Sequence, residues 1–242
     1  PNMPNLESLM YSGISFNNVW ATPECSPTRA TILTGKYGFR TKVFGSGDIF
    51  SLSESSIFKV LNNYAPDYAH ALIGKWHLTQ NINDPYKMGV DYFAGILNGE
   101  IKDYSNWDLT QNGETIITKE YATTKLTNLA IDWLNSKTQP WFLWLAYNAP
   151  HGPFHLPPSN LHDQGSLLDN KATIASNPTP YYMAMIEAMD SEIGRLLNSM
   201  SSEIRENTII IFIGDNGTPP EVAQEYSKNH QVYSRTKWTL YQ

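Results

Sequence analysis

The chain has a single cysteine among its 242 residues, Cys25, so it cannot form an internal disulfide. This excludes a disulfide-stabilised scaffold, but scarce cysteine is compatible both with the cytoplasm and with a bacterial periplasm. Basic residues are also outnumbered, with 17 Lys and Arg against 23 Asp and Glu and a formal net charge of −6. Because binding to phosphate backbones requires a basic surface, this balance argues against a nucleic acid as partner.

Long apolar runs are missing as well. The two longest, residues 141–147 and 209–213, are far shorter than the ~20 residues that a membrane-spanning helix requires. Neither repeats nor a low-complexity linker divide the chain. A chain of this length buries roughly 70% or more of the surface that its unfolded form exposes. The sequence therefore predicts one domain over residues 1–242 and no membrane span.

Strand-like and helix-like segments alternate along the chain. Buried strands are predicted where apolar residues run continuously, at 70–74, 141–147 and 208–213. Amphipathic helices are predicted where apolar residues recur every three or four positions, at 121–136 and 181–199. Asn112 and Gly113 predict a hairpin turn before a strand at 114–118. Continuous apolar strands between helices favour an α/β fold with a mostly parallel central sheet and helices on both faces.

Local signals also predict how two helices begin. Asn5 is a candidate cap for a short helix that ends at Gly13. Ser51 and Glu54 form a capping-box pattern ahead of residues that are apolar at helical spacing.

Polar and ionisable side chains follow directly after the three predicted apolar strands. They are Lys75 and His77 after residues 70–74, His151 after 141–147, and Asp215 with Asn216 after 208–213. In sheets of this kind, ligands bind at the carboxyl ends of the strands, which meet at one edge. The sequence therefore predicts an active site at that edge.

Cys25 opens the stretch Cys-Ser-Pro-Thr-Arg, which predicts the start of a helix because proline is tolerated in the first helical turn. Free backbone N–H groups and the helix dipole stabilise a thiolate or an oxyanion at that end. Arg29 lies one turn further on, within reach of the same atom. The alternative is a buried structural cysteine beside an arginine that pairs elsewhere.

The other candidates also have structural alternatives. Lys75 and His77 lie on the same side of an extended segment, where a cation and an imidazole suit an anionic substrate; otherwise they are a surface lysine and a hydrogen-bonded histidine. His151 is held between two prolines, or is an ordinary loop histidine. Asp215 and Asn216 offer the oxygen ligands that hard cations prefer, or form a simple turn.

Lys237 carries no signal by itself. In combination, a potential nucleophile, an arginine, two lysines, two histidines and an Asp-Asn pair describe the transfer of a small, strongly anionic tetrahedral group.

In these motifs the chain resembles the sulfatase family, which belongs to the alkaline-phosphatase-like superfamily. Residues 25–29 match the family's Cys-x-Pro-Ser/Thr-Arg signature, and "ATILTG" continues it. The later motifs follow in family order: "GKWHL" at 74–78, "APHGP" at 149–153, "GDNG" at 214–217 and "TKWTLY" at 236–241. The resemblance covers essentially the whole chain, and it implies an alkaline-phosphatase-like fold and a sulfatase catalytic domain.

The resemblance also implies a chemistry. A formylglycine-generating enzyme would oxidise Cys25 to formylglycine, and the hydrated aldehyde would attack the sulfur of a sulfate ester in line. The implied roles of the other residues are to steady the hydrate (Arg29), to hold sulfate oxygens (Lys75 and Lys237), to protonate the leaving oxygen (His151) and to assist sulfate release (His77).

A calcium ion bound by Asp215, Asn216 and the modified Cys25 is implied as well. Family members open with a strand that ends in two further aspartate ligands, and they continue into a smaller C-terminal domain. Neither is present between Pro1 and Gln242. We therefore expect a catalytic domain that is truncated at both ends, with poor calcium binding and little activity of the 242-residue chain itself.

Three functions remain open. The first is a sulfuric ester hydrolase acting on a sulfated carbohydrate or an aryl sulfate. The second is a phosphate ester or phosphonate hydrolase of the same superfamily, and the third is a non-catalytic remnant that binds sulfated glycans. The resemblance implies a periplasmic or secreted protein.

Overall fold

The computed structural model describes residues 1–227 and Lys237, and within this part five strands form one sheet in the order β4-β3-β2-β1-β5. The strands are β1 Ala69–Lys75, β2 Tyr92–Ile96, β3 Trp107–Gln111, β4 Glu114–Thr118 and β5 Trp141–Ala146. β1 is parallel to both β2 and β5, whereas β3 is antiparallel to β2 and to β4. The α/β prediction is confirmed, in a mixed sheet whose parallel part is extended by an antiparallel hairpin.

Ten α-helices precede, connect or follow the strands in the described residues. They are α1 Pro4–Ser12, α2 Cys25–Thr34, α3 Gly38–Thr41, α4 Ile57–Tyr64, α5 Asp84–Lys87, α6 Ala122–Asn135, α7 Lys171–Ser176, α8 Thr179–Ser199, α9 Ser202–Glu206 and α10 Pro220–Ser227. A short 3₁₀-helix covers Ser159–Leu161. The helices predicted at 121–136 and 181–199 are confirmed as α6 and α8. No helix in the described part of the chain is long and apolar enough to cross a membrane.

Helices cover both faces of the sheet, as the sequence predicts. Side chains alternate between the two faces of a strand. Ala71 and Ile73 of β1 therefore pack into one apolar core with residues of α6 and α8. Leu72 points the other way, into a second core that includes Leu33 of α2 and Phe58 of α4.

The predicted hairpin is confirmed between β3 and β4. Asn112 and Gly113 both adopt positive φ, 53° and 79°. This is the combination that a two-residue turn with the twist of a β-hairpin requires, and asparagine and glycine tolerate it best.

Both predicted helix caps are wrong. α4 begins at Ile57, and its cap is Ser56, whose side chain accepts a hydrogen bond from the Lys59 N–H. Ser51 and Glu54 instead close a turn before the helix. Asn5 lies inside the first turn of α1, where its side chain bonds to α8 rather than to its own helix.

The predicted strand at 208–213 is also wrong, because this segment has no regular secondary structure. Its apolar side chains are exposed, to 89% for Ile209 and 74% for Ile211. A strand is stabilised by hydrogen bonds to a neighbour and by burial of its faces. No described strand pairs with this segment, so its β-branched sequence alone does not order it as a strand.

The buried carboxylate of Asp190, on α8, binds the start of α1. Asp190 is 1% exposed and accepts hydrogen bonds from the backbone N–H groups of Asn5 and Leu6, at 3.1 and 2.8 Å. The Asn5 side chain adds a third bond at 2.9 Å. These donors belong to the first turn of α1, where the helix itself supplies no partner.

We expect Asp190→Ala to lower the free energy of unfolding by about 1–3 kcal/mol, because it leaves the partly buried N–H groups of Asn5 and Leu6 without their acceptor. Urea denaturation measures the loss, with the exposed Asp67→Ala as the control. An equal effect of both substitutions would contradict this account.

Candidate active site

Cys25 is the first residue of α2, directly after Glu24, whose extended backbone ends the preceding segment. The thiol is buried, and its Sγ lies 3.1 Å from Nδ1 of His77. Ser26 reaches the same histidine, because its hydroxyl donates to the His77 carbonyl at 3.0 Å and lies 3.2 Å from Nδ1. The helix start and the imidazole therefore meet at position 25.

His77 occupies a tightly bounded place. Its backbone adopts φ of 52°, which is uncommon for a residue other than glycine. On the far side of the ring, a Cβ at Gly99 would lie 2.3 Å from Nε2. Only a residue without a side chain fits there, so Gly99 and Cys25 bound the imidazole from opposite sides.

Arg29 connects α2 to the end of β1. Its Nε donates to the Trp76 carbonyl at 2.8 Å, and Nη2 donates to the Lys75 carbonyl. The guanidinium also lies over the Trp144 ring, 5.0 Å from its centroid. Burial lowers the pKa of Arg29, while Asp215 and Cys25 act in the opposite direction. Arg29 thus pairs with backbone carbonyls, as in the alternative interpretation in which the arginine pairs elsewhere than with Cys25. It also interacts electrostatically with Cys25.

Lys75 is the last residue of β1 and is only 3% exposed. Burial lowers its pKa, because the charged ammonium loses water. Cys25 and Asp215 raise this pKa, whereas Arg29 and Lys237 lower it further through repulsion between like charges. Buried positive charges therefore face one another across the site.

His151 approaches from the loop after β5. Its Nδ1–H donates to the Gly152 carbonyl at 2.9 Å, so Nε2 carries no proton and accepts a hydrogen bond from Nζ of Lys237 at 3.1 Å. Burial lowers the pKa of His151, the Gly152 hydrogen bond raises it, and Lys75 and Lys237 lower it. The imidazole therefore directs one nitrogen towards the cationic side of the site.

The structure brings the predicted residues together, and we call the group the position-25 site. Its members are Cys25, Arg29, Lys75, His77, His151, Asp215 and Lys237. Asn216 follows Asp215 in the chain, and its Nδ2 donates to the Gly217 carbonyl at 2.8 Å.

A calcium ion takes six to eight oxygen ligands, several of them carboxylates. Asp215 and Asn216 supply two side-chain oxygens of this type. The side chains that the structure describes, those of residues 1–223 and Lys237, include no group of three or more His, Cys, Asp or Glu that could hold a metal ion. Two side-chain oxygens are too few for calcium, so Asp215 and Asn216 would need further ligands to hold the ion.

Several residues that shape the site escaped the sequence analysis. They are Ser26, Gly99, Tyr104 and Trp144. Each acts on a partner far away in the chain, so no local pattern marks it. The signal for Ser26 was its place inside the signature, next to Cys25.

Fold and site together define an α/β protein whose sheet edge surrounds the start of a helix with buried cations and imidazoles, a setting for a small oxyanion. The chain belongs to the sulfatase family, because the family model described as Sulfatase matches residues 1–241.

Named relatives agree with this family. The Uncharacterized sulfatase YdeN of Escherichia coli (strain K12) is 29% identical over 88% of this chain and 42% of its own length. Arylsulfatase J of Mus musculus is 27% identical, over 90% of this chain and 39% of its own. The crystal structure of Ps i-CgsB in complex with k-i-k-neocarrahexaose superposes with a TM-score of 0.73 and 26% identity, covering 90% of this chain and 54% of that one. The chain thus spans about half, or less, of the length of these relatives.

The pKa of His77 predicts how stability responds to pH. Burial, followed by Lys75, Arg29, His151 and Lys237, lowers this pKa from 6.5 to about 3. The unfolded chain therefore binds a proton at His77 more readily than the folded protein does. The stability linked to neutral His77 is present above pH 6.5 and is lost as the pH falls towards 3.

We expect the free energy of unfolding to fall less steeply below pH 6.5 in His77→Gln than in the wild type. Urea denaturation of both proteins, at one pH above 6.5 and one between 6.5 and 3, measures the difference. Parallel pH dependence in the two proteins would contradict a depressed pKa at His77.

Proposed function

We propose that the protein, in its full length, hydrolyses sulfate esters, and that residues 1–242 belong to one catalytic domain. Cys25, converted to formylglycine by a formylglycine-generating enzyme, would supply as its hydrate the oxygen that attacks sulfur in line. The proposed substrate is a sulfated carbohydrate or an aryl sulfate. Relatives named N-acetylglucosamine-6-O-sulfatase, 33% identical over 65% of this chain, and Ulvan-active sulfatase support the carbohydrate class.

One observation carries the proposal: buried cations converge on the residue that the family signature marks for modification. Arg29, Lys75 and Lys237 are 4%, 3% and 8% exposed. Removing an ion from water costs several kcal/mol unless an opposite charge or hydrogen bonds compensate. A bound sulfate ester would supply negative charge at this position, and its oxygens match the donors of lysine and arginine.

The remaining side chains have roles that follow from their atoms. Nδ1 of His77 faces position 25, where it can take a proton from an oxygen on that residue as sulfate leaves. Nε2 of His151, once protonated, would give its proton to the leaving oxygen. Lys75 and Lys237 would neutralise the sulfate oxygens, and Arg29 would steady position 25.

Two further parts of the proposal rest on the family resemblance alone. Asp215 and Asn216 would contribute oxygens to a calcium site, and the protein would be exported to the periplasm or beyond.

We expect Cys25 to be modified when the chain is produced with a formylglycine-generating enzyme. Mass spectrometry of the peptide that carries Cys25 should then detect an aldehyde in place of the thiol, and the Pro27→Ala variant, altered within the signature, should give less conversion. An unmodified thiol under these conditions would favour the binding remnant over the enzyme.

We expect the full-length protein to hydrolyse aryl sulfates faster than matched aryl phosphates, because the chain belongs to the sulfatase family, although its buried cations suit either anion. The measurement compares the hydrolysis rates of 4-nitrophenyl sulfate and 4-nitrophenyl phosphate, with Cys25→Ala as the inactive control. Faster phosphate hydrolysis would make the protein a phosphoesterase of the same superfamily.

A further inference from the structure

Tyr104 lies between β2 and β3 and is 2% exposed. Its backbone carbonyl accepts a hydrogen bond at 2.8 Å from the N–H of Ala122, the first residue of α6. Its hydroxyl donates to the His151 carbonyl at 2.7 Å. Tyr104 therefore links a fixed helix to the loop that carries His151.

The same hydroxyl is part of a chain of hydrogen bonds. Nδ2 of Asn148 donates to the Tyr104 oxygen at 3.3 Å, and the Asn148 carbonyl accepts from the His151 N–H at 2.9 Å. Asn148 is 4% exposed, and its Oδ1 has no hydrogen-bond partner among the described residues. Loss of the Tyr104 hydroxyl would leave this buried amide with still fewer partners, so the loop depends on that one oxygen.

A second histidine of the loop holds the ring of Tyr104. The His155 and Tyr104 rings stack with their centroids 4.1 Å apart. Nδ1–H of His155 donates to the Pro153 carbonyl at 3.1 Å, which leaves Nε2 to accept from the Tyr121 hydroxyl at 3.1 Å. The ring and the hydroxyl of Tyr104 are thus both fixed, and the segment 148–155 is held at its two ends.

We propose that Tyr104 is a positioning residue that sets the location of the His151 imidazole relative to the leaving group. This inference rests on the proposed function, in which His151 protonates the leaving oxygen. Tyr104 does not touch the reacting atoms; it fixes the backbone from which the imidazole extends. A displacement of about 1 Å in such a group costs up to about 100-fold in rate.

The test is Tyr104→Phe, which removes one oxygen and keeps the ring that stacks on His155. A matched control is Tyr181→Phe, because Tyr181 is also 2% exposed and its hydroxyl also donates to a backbone carbonyl, that of Leu168 at 2.6 Å. Both variants are made in the full-length protein and assayed on a series of substituted phenyl sulfates whose leaving phenols differ in pKa.

We expect Tyr104→Phe to lower kcat about tenfold for phenols of high pKa, which need a proton to leave. The rate on 4-nitrophenyl sulfate should change less than about twofold, with KM unchanged, because that phenolate leaves without help. Tyr181→Phe should lower no rate selectively. A uniform loss across the series, or the same pattern in both variants, would overturn the inference.

A wild-type protein that hydrolyses none of these sulfates would exclude aryl sulfates as substrates, but it would say nothing about the positioning role. In that case the positioning role of Tyr104 is tested by the NMR chemical shifts of the His151 ring. They should move in Tyr104→Phe and stay in place in Tyr181→Phe, and unchanged resonances in both would overturn the inference. If Tyr104→Phe does not fold, Tyr121→Phe, one contact further from His151, takes its place with the same expected pattern.

Discussion

Positive charge buried around position 25 is the constraint on which the rest of the structure depends. Arg29 and Lys75 are almost fully shielded from water, and such ions are tolerated only where hydrogen bonds and opposite charges compensate. The carbonyls of Lys75 and Trp76 provide part of that compensation for Arg29. Since those carbonyls belong to the end of β1 and the residue after it, the charge also fixes the position of α2 against the sheet.

The hydrogen bonds between Arg29 and the end of β1 explain why the start of α2 and the end of β1 lie close together, next to the loops that carry His77 and His151. Ser26 and Gly99 contact His77 and fix its position, and His151 lies in the loop after β5. Each element carries a polar group at the point where it leaves the core. The sheet edge is therefore both the boundary of the apolar packing and the place where chemistry is concentrated.

Much of the fold follows from local sequence patterns. The apolar run of β1, the turn at Asn112 and Gly113, and the helical spacing of α8 each determine their own structure. Residues 208–213 have equally strong strand character, yet a strand exists only with a partner to bond to, and local sequence contains no information about that partner. The predicted Asn5 cap is wrong for a similar reason, since Asn5 bonds to α8 and not to its own helix.

The site residues likewise fall into those that the sequence predicts and those that only the folded structure reveals. Those at strand ends, such as Lys75 and His77, were found because polar groups after apolar runs stand out. Ser26 and Tyr104 were not, because their partners lie 51 and 47 residues away and their roles depend entirely on the folded arrangement. A sequence motif thus identifies the groups that would touch a substrate more readily than the groups that hold them.

The exposed segment at 209–213 has a consequence for handling the 242-residue chain. Five β-branched or aromatic residues in a row, without a charge, open to solvent and not paired with a described strand, can add to the same segment of another molecule as an intermolecular ladder. Such stacking grows with concentration, so precipitation in concentrated samples of this 242-residue chain would begin at this segment rather than in the core.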